Sequence, residues 1–240
     1  MIETHDEHEM RHLVDALVEI SKGNTWHGKK VTKEMIFSVV ADLIGAGFNT
    51  TASSLKWGIL FMASHHEVQE RVQKEIDEIV GQHRKPSVLD RKNLQYSEAV
   101  VLEILRMAPI LPLALPHSAC TKTKLLGFTI PENMIVLVNL LSSNLDRQLW
   151  RSPTEFKPER FLDQDGNIDN KIADNVMSFG TGRRRCIGEQ LARSNIFVFL
   201  TSLLQRCKII QPEDEECDFE GKLTLTYVPN TFKIKVRERS

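Results

Sequence analysis

One stretch of the chain gathers residue types that could do ligand and redox chemistry: Phe179-Gly180-Thr181-Gly182-Arg183-Arg184-Arg185-Cys186-Ile187-Gly188-Glu189. Its fixed positions read Phe-x-x-Gly-x-Arg-x-Cys-x-Gly, and an apolar helical stretch, Ile187 to Arg206, follows directly. A cysteine just ahead of a helix faces unpaired backbone N–H groups and the positive end of the helix dipole. Both stabilise a thiolate, which is a strong electron-donating ligand for iron. Gly182 permits a turn that a side chain would block, and Gly188 lets the backbone approach a flat group closely. Arg184 can grip a carboxylate with two parallel hydrogen bonds, and Phe179 can shield the sulfur from water. The competing reading is a Gly-rich basic turn around an inert buried cysteine, the default for a cysteine taken alone.

Three further groups could act with that loop. Glu103 and Arg106 lie three residues apart on one helix face, where the plain reading is a surface ion pair. Ala46-Gly47-Phe48-Asn49-Thr50-Thr51 sits in the middle of a long helical stretch. A glycine there costs about 1 kcal/mol against alanine, and a threonine hydroxyl can bond the carbonyl one turn back; the plain reading of Gly47 is close packing. His117 follows Pro116 on an extended segment and, taken alone, is a solvated residue.

The elements that must carry these groups follow from periodicity and punctuation. His5 to Ser21 is helical, with Met10, Leu13, Val14, Leu17 and Val18 on one face. Thr32 is a plausible N-cap for a long helix over about 32–64, apolar nearly all round and so expected inside a core. Glu67 to Val80 is an amphipathic helix, Ser87 with Asp90 resembles a capping box, and a helix over about 94–107 ends at Pro109. Lys124 to Ile130 and Ile135 to Asn139 read as strands, Ser143 to Trp150 as a short helix, and 152–178 as a long ordered coil. Leu223 to Val228 and Phe232 to Val236 read as strands of the tail.

Composition bounds the function. The chain has 240 residues, 41% of them hydrophobic and 26% charged, as in an ordinary globular protein, and a formal net charge of -1 that argues against nucleic-acid binding. The four cysteines form no close Cys-x-x-Cys pair, which argues against a zinc site, and no disulfide framework is expected. The polar start, Met1 to Met10, reads as neither signal nor anchor, and no stretch is read as a membrane span, since Asp42, Asn49 and Lys56 interrupt the most apolar one.

The loop from Phe179 to Gly188 resembles the haem-thiolate signature of the cytochrome P450 family, without departure at the fixed positions. The resemblance implies a mainly α fold with a small β component, the C-terminal portion of the cytochrome P450 fold. All of 1–240 would be the haem-binding part of a single domain whose N-terminal half, with the membrane anchor and the roof of the substrate pocket, is missing. The cofactor would be haem b, iron protoporphyrin, held by Cys186 as axial ligand, with Phe179, Gly182, Arg184, Gly188 and His117 around it and Ala46 and Gly47 making room for dioxygen. By the same resemblance Glu103, Arg106 and Arg160, the last within Pro158-Glu159-Arg160-Phe161, form a buried ionic triad. Thr50 matches the family's proton-delivering threonine, but Asn49 stands where an acid is usual, and an amide cannot gain or lose a proton near neutral pH. Leu111 to Leu115 and Thr226 to Val228 match stretches that line the substrate pocket, with plain core strands as the alternative reading.

The activity implied is a monooxygenase inserting one atom of dioxygen into a lipophilic substrate, a steroid or an aromatic xenobiotic. Electrons would come from an NADPH-dependent reductase flavoprotein, with cytochrome b5 as a candidate second donor, and the full-length parent would sit on the cytoplasmic face of the endoplasmic reticulum membrane. Two alternatives stay open: a truncated, non-catalytic fragment, and an oxygen-independent haem-thiolate isomerase or dehydratase. An isolated half is also expected to expose an apolar face along residues 33–64.

Overall fold

A computed structural model describes residues 13–23, 25–26 and 29–239. Its elements in chain order are α1 (Leu13–Gly23), β1 (Thr25–Trp26), β2 (Lys29–Lys30), α2 (Lys33–Ser64), α3 (His66–Ile79), α4 (Gln95–Met107), β3 (His117–Ser118), β4 (Thr123–Leu125), β5 (Phe128–Ile130), β6 (Ile135–Val136), α5 (Leu140–Asn144), α6 (Asn170–Ala173), α7 (Glu189–Arg206), β7 (Cys207–Ile210), β8 (Gly221–Leu223), β9 (Tyr227–Pro229) and β10 (Lys235–Glu238). Short 3-10 turns cover Val88–Lys92, Pro158–Phe161 and Gly182–Arg184. The first helix is described from Leu13 onward; the part expected over 5–12, with Met10, lies outside the described residues.

The chain divides into two compact units, Met1–Asn49 and Thr50–Ser240. In the first, the Thr32 hydroxyl accepts from the Met35 N–H at 3.3 Å and caps α2, as the sequence indicates. Over this half the helix shows the apolar face expected of an isolated half rather than running buried through a core: Phe37, Ile44 and Phe48 are 72%, 66% and 79% exposed. By length and composition α2 could also cross a membrane, with a mean hydropathy of 1.3 over its most apolar window. Asp42, Asn49 and Lys56, taken in the sequence to interrupt a span, are too sparse to lower the average of so long a run. A core helix of a soluble protein has the same composition, and the end of α2 is buried in the second unit.

The second unit is mainly α, its core built where the end of α2 meets α3, α4 and α7. Trp57, Leu60 and Phe61 of α2, Val72 and Ile76 of α3, Ile104 of α4 and Phe197, Leu200 and Leu204 of α7 form one buried cluster. The spacing explains it: Val72 and Ile76 lie one turn apart, as do Phe197, Leu200 and Leu204, so each helix turns a stripe inward. Position 58 is small for the same reason, since a Cβ on Gly58 would stand 3.3 Å from the Ile104 side chain. Glu75 of α3 accepts from the Tyr96 and Ser97 N–H groups at 2.7 and 2.8 Å, satisfying donors that the start of α4 leaves open.

The β component is a set of two-stranded antiparallel pairs: β1 with β2, β3 with β6, β4 with β5, β8 with β9, and β7 with β10. The strand expected over Lys124 to Ile130 is two strands, because Leu126 and Gly127 take φ of 49° and 86° and reverse the chain as a tight hairpin. Leu223 to Val228 likewise folds back on itself, pairing Leu223 with Tyr227. Of Ile135 to Asn139 only Ile135–Val136 is strand, because only it meets a partner, β3. The short helix begins at Leu140 rather than Ser143, since the Asn139 side chain accepts from the Ser142 N–H at 2.9 Å and starts the turn early.

Gln69 of α3, fully buried, ties β7 to this core. Its amide donates to the carbonyls of Met62 and Ile209 at 2.8 Å each, and its carbonyl accepts from the Ile209 N–H at 2.7 Å. Gln69→Leu keeps the volume but strands three backbone groups, and is expected to destabilise the fold by about 2–4 kcal/mol, read as a lower denaturation midpoint in urea.

Candidate functional site

The loop around Cys186 is shaped by two glycines. Gly180 and Gly182 both have φ of +70°, a left-handed conformation that most side chains resist. With them the chain turns so that the Cys186 N–H donates to the Phe179 carbonyl at 2.9 Å and the Arg185 N–H to the Gly182 carbonyl at 3.1 Å. Cys186 is a free, exposed cysteine, which removes the reading of an inert buried one. It lies three residues ahead of the first residue of α7, and Gly188 caps that helix. A Cβ on Gly188 would stand 3.8 Å from Cys186 Sγ, at van der Waals contact, so position 188 lies directly beside the sulfur.

The surroundings of the thiol suit a flat, apolar group with acidic edges. Phe179 packs against the main core cluster, while Ile187 and Leu191 are 86% and 62% exposed. Arg184 is exposed and forms no hydrogen bond or ion pair among the described residues, so its guanidinium is available to a carboxylate. Arg185 is instead committed, donating to both Glu189 carboxylate oxygens at 2.6 and 2.8 Å, which raises its pKa. These residues fit haem: a free thiol for the iron, a free guanidinium for a propionate, and apolar side chains for the ring.

A buried charge cluster holds the coil that leads to this loop. Arg106 donates from Nε and a terminal nitrogen to the two Glu103 oxygens at 2.7 and 2.9 Å, and Arg160 Nε reaches Glu103 at 3.0 Å. The three side chains are 0%, 0% and 8% exposed, which is no surface pair. Their remaining donors go to backbone carbonyls of the coil and of α5: Arg106 to Asn144 and Pro153, Arg160 to Arg151, Ser152 and Glu155. The Glu103 carboxylate also accepts from the Lys157 N–H at 2.8 Å.

Sequence reasoning missed two features. Buried Asn144 accepts from the Met177 N–H at 2.9 Å and donates to the Ser178 hydroxyl at 3.1 Å, pinning the coil one residue before Phe179. No spacing rule exposes an asparagine that works through tertiary contacts. The second is a chain of alternating charges: Arg91 and Arg193 both reach Glu98 at 2.6 Å, Arg193 lies 3.7 Å from Glu189, and Glu189 binds Arg185, next to Cys186. The i,i+4 spacings of Arg185, Glu189 and Arg193 were its visible trace.

The other expected residues are placed as follows. His117 is exposed on β3, paired in register with Val136. Ala46, Gly47 and Asn49 belong to the first unit and Thr50 to the second, all along α2. A Cβ on Gly47 meets no atom within 4 Å, so packing does not demand a glycine there. Thr226 bonds Ser53 of α2 at 3.0 Å, and the Tyr227 N–H donates to the Ile110 carbonyl at 2.8 Å, so the Thr226 to Val228 stretch lies against this end of the core, while Leu113 and Leu115 of the other stretch are exposed.

Removing one member of the buried cluster leaves the others uncompensated. Glu103→Gln is expected to cost roughly 3–5 kcal/mol of stability, measured by chemical denaturation, and to speed hydrogen exchange across residues 152–178.

The family model for cytochrome P450 matches residues 2–236. Cytochrome P450 1A1 of Canis lupus familiaris is 39% identical over 240 residues, covering 98% of this chain and 46% of the relative, and cytochrome P450 1A2 of Felis catus is 40% identical, covering 92% and 44%. The chain thus spans about half the length of the curated relatives it matches. A solved zebra fish cytochrome P450, a structure with abiraterone, superposes with a TM-score of 0.86 at 34% identity, covering 100% of this chain and 57% of that one. A second, with progesterone, has the same score and identity. The chain belongs to the cytochrome P450 family, as its C-terminal, mainly α portion.

Proposed function

We propose that the chain carries the haem-thiolate centre of a monooxygenase that inserts one atom of dioxygen into a lipophilic substrate. The observation that carries this reading is the free, exposed Cys186 in its glycine-shaped loop ahead of α7. Haem, when bound, supplies the site where dioxygen is activated. The chain's residues do the rest. Cys186 gives its thiolate to the iron, stabilised by the open N–H groups that precede α7. Arg184 and His117 hold the propionates, Gly182 and Gly188 let the backbone come close, and Phe179 keeps water from the sulfur. Thr50 would hand on protons. Glu103, Arg106 and Arg160 fix the coil that carries the loop.

The apolar character of Leu111 to Leu115 and of the Thr226 to Val228 stretch favours a steroid or an aromatic xenobiotic. The drug and steroid named with the zebra fish structures are of that type. In a parent protein of this kind electrons come from an NADPH-dependent reductase flavoprotein, with cytochrome b5 as second donor, at the cytoplasmic face of the endoplasmic reticulum membrane.

The test is a carbon monoxide difference spectrum of the chain supplied with haem, beside Cys186→Ala. A strongly red-shifted Soret band that vanishes in the variant is expected; a band that survives the substitution would remove Cys186 as the ligand. Proton delivery gives a second expectation. Because Asn49 cannot titrate, Asn49→Asp in a full-length context should turn over faster and leak less hydrogen peroxide per NADPH consumed; equal leakage would exclude the acid position as the cause.

A further inference from the structure

The loop before the 3-10 turn Val88–Lys92 is held by a small clasp outside the haem site. Arg84 grips Asp90 with two hydrogen bonds of 2.7 and 2.8 Å, and Asp90 also accepts from the Ser87 N–H at 2.8 Å and the Ser87 hydroxyl at 3.0 Å. These contacts hold the buried Asp90 carboxyl far below the usual carboxylate range, the Arg84 bond foremost. Arg84 and Lys85 are exposed, Ser87 is half-buried with extended backbone (φ -132°, ψ 171°), and Val88 is 49% exposed.

We propose that Ser87 is a phosphorylation site for a basic-directed serine kinase and that the phosphate opens this clasp. Such a kinase binds an extended segment in an acidic groove, reading charge before the acceptor serine. Arg84 and Lys85 stand three and two positions before Ser87, and apolar Val88 stands just after it. In the reaction the Ser87 hydroxyl oxygen forms a bond to the γ-phosphorus of ATP, the bond from that phosphorus to ADP breaks, the hydroxyl proton passes to the kinase's base, and ADP leaves. The ester oxygen no longer has a hydrogen to donate to Asp90. A phosphate of about -1.5 to -2 charge then faces the Asp90 carboxylate and draws Arg84 away from it. The turn so loosened carries Arg91, the first member of the charge chain that ends at Arg185 beside Cys186.

The test incubates the purified folded chain with cyclic-AMP-dependent protein kinase and Mg-ATP and maps phosphate by mass spectrometry. Ser87 is expected to be labelled, and labelling at that peptide to vanish in Ser87→Ala. Lys85→Ala, which leaves the clasp intact, should slow labelling several-fold. The phosphorylated chain should melt at a lower temperature and exchange amide hydrogens faster over residues 84–92. Labelling only after heat unfolding, no labelling at all, or an unchanged rate in Lys85→Ala would overturn the site; labelling with unchanged melting and exchange would overturn the opening of the clasp.

Discussion

The buried Glu103 carboxylate is the constraint on which the functional part of the molecule depends. It stands between two guanidiniums, fully buried, where an isolated charge would be very unfavourable. One carboxylate does not neutralise two arginines, so the cluster keeps a net positive charge. That surplus is spread over main-chain carbonyls contributed by α5 and by the coil that follows it. A segment with almost no ladder of its own is thereby given fixed partners for its polar backbone.

The loop that carries Cys186 inherits its order from this arrangement at second hand. Arg106 takes the Asn144 carbonyl, the Asn144 side chain takes Met177 and Ser178, and Phe179 follows at once. From the other side, the charges from Arg91 to Arg185 connect the loop to α4 and α7. The thiol is held from two directions by polar contacts, while the apolar cluster of α2, α3, α4 and α7 supplies the rigid body behind it.

How much of this was legible in the sequence follows from how local each feature is. Cys186, Gly182 and Gly188 sit within seven residues of one another, and their types alone fix what the loop can do. Glu103 and Arg106 were visible as a pair, but their burial was not, because spacing on a helix does not say which face is covered; only the family resemblance linked them to Arg160. The long helices were read correctly from periodicity. The small strands were less so, because a two-residue hairpin at Leu126-Gly127 depends on φ values that no hydrophobic pattern encodes. Asn144 was invisible because all its partners lie far along the chain. The exposure of Phe37, Ile44 and Phe48 follows the apolar face expected of an isolated half rather than the burial that the apolar pattern alone suggested, because an apolar sequence does not say what is present to cover it.

The contacts of Arg106 have a bearing on the order of assembly. They join residues 38 to 49 positions apart in the chain, and closing such loops costs entropy before any contact repays it. The helix carrying Glu103 and Arg106 can form from its own sequence, but the coil cannot be fixed until that helix is docked. The thiol loop is therefore among the last parts of the chain to become rigid, and the scaffold is complete before its thiol is in place.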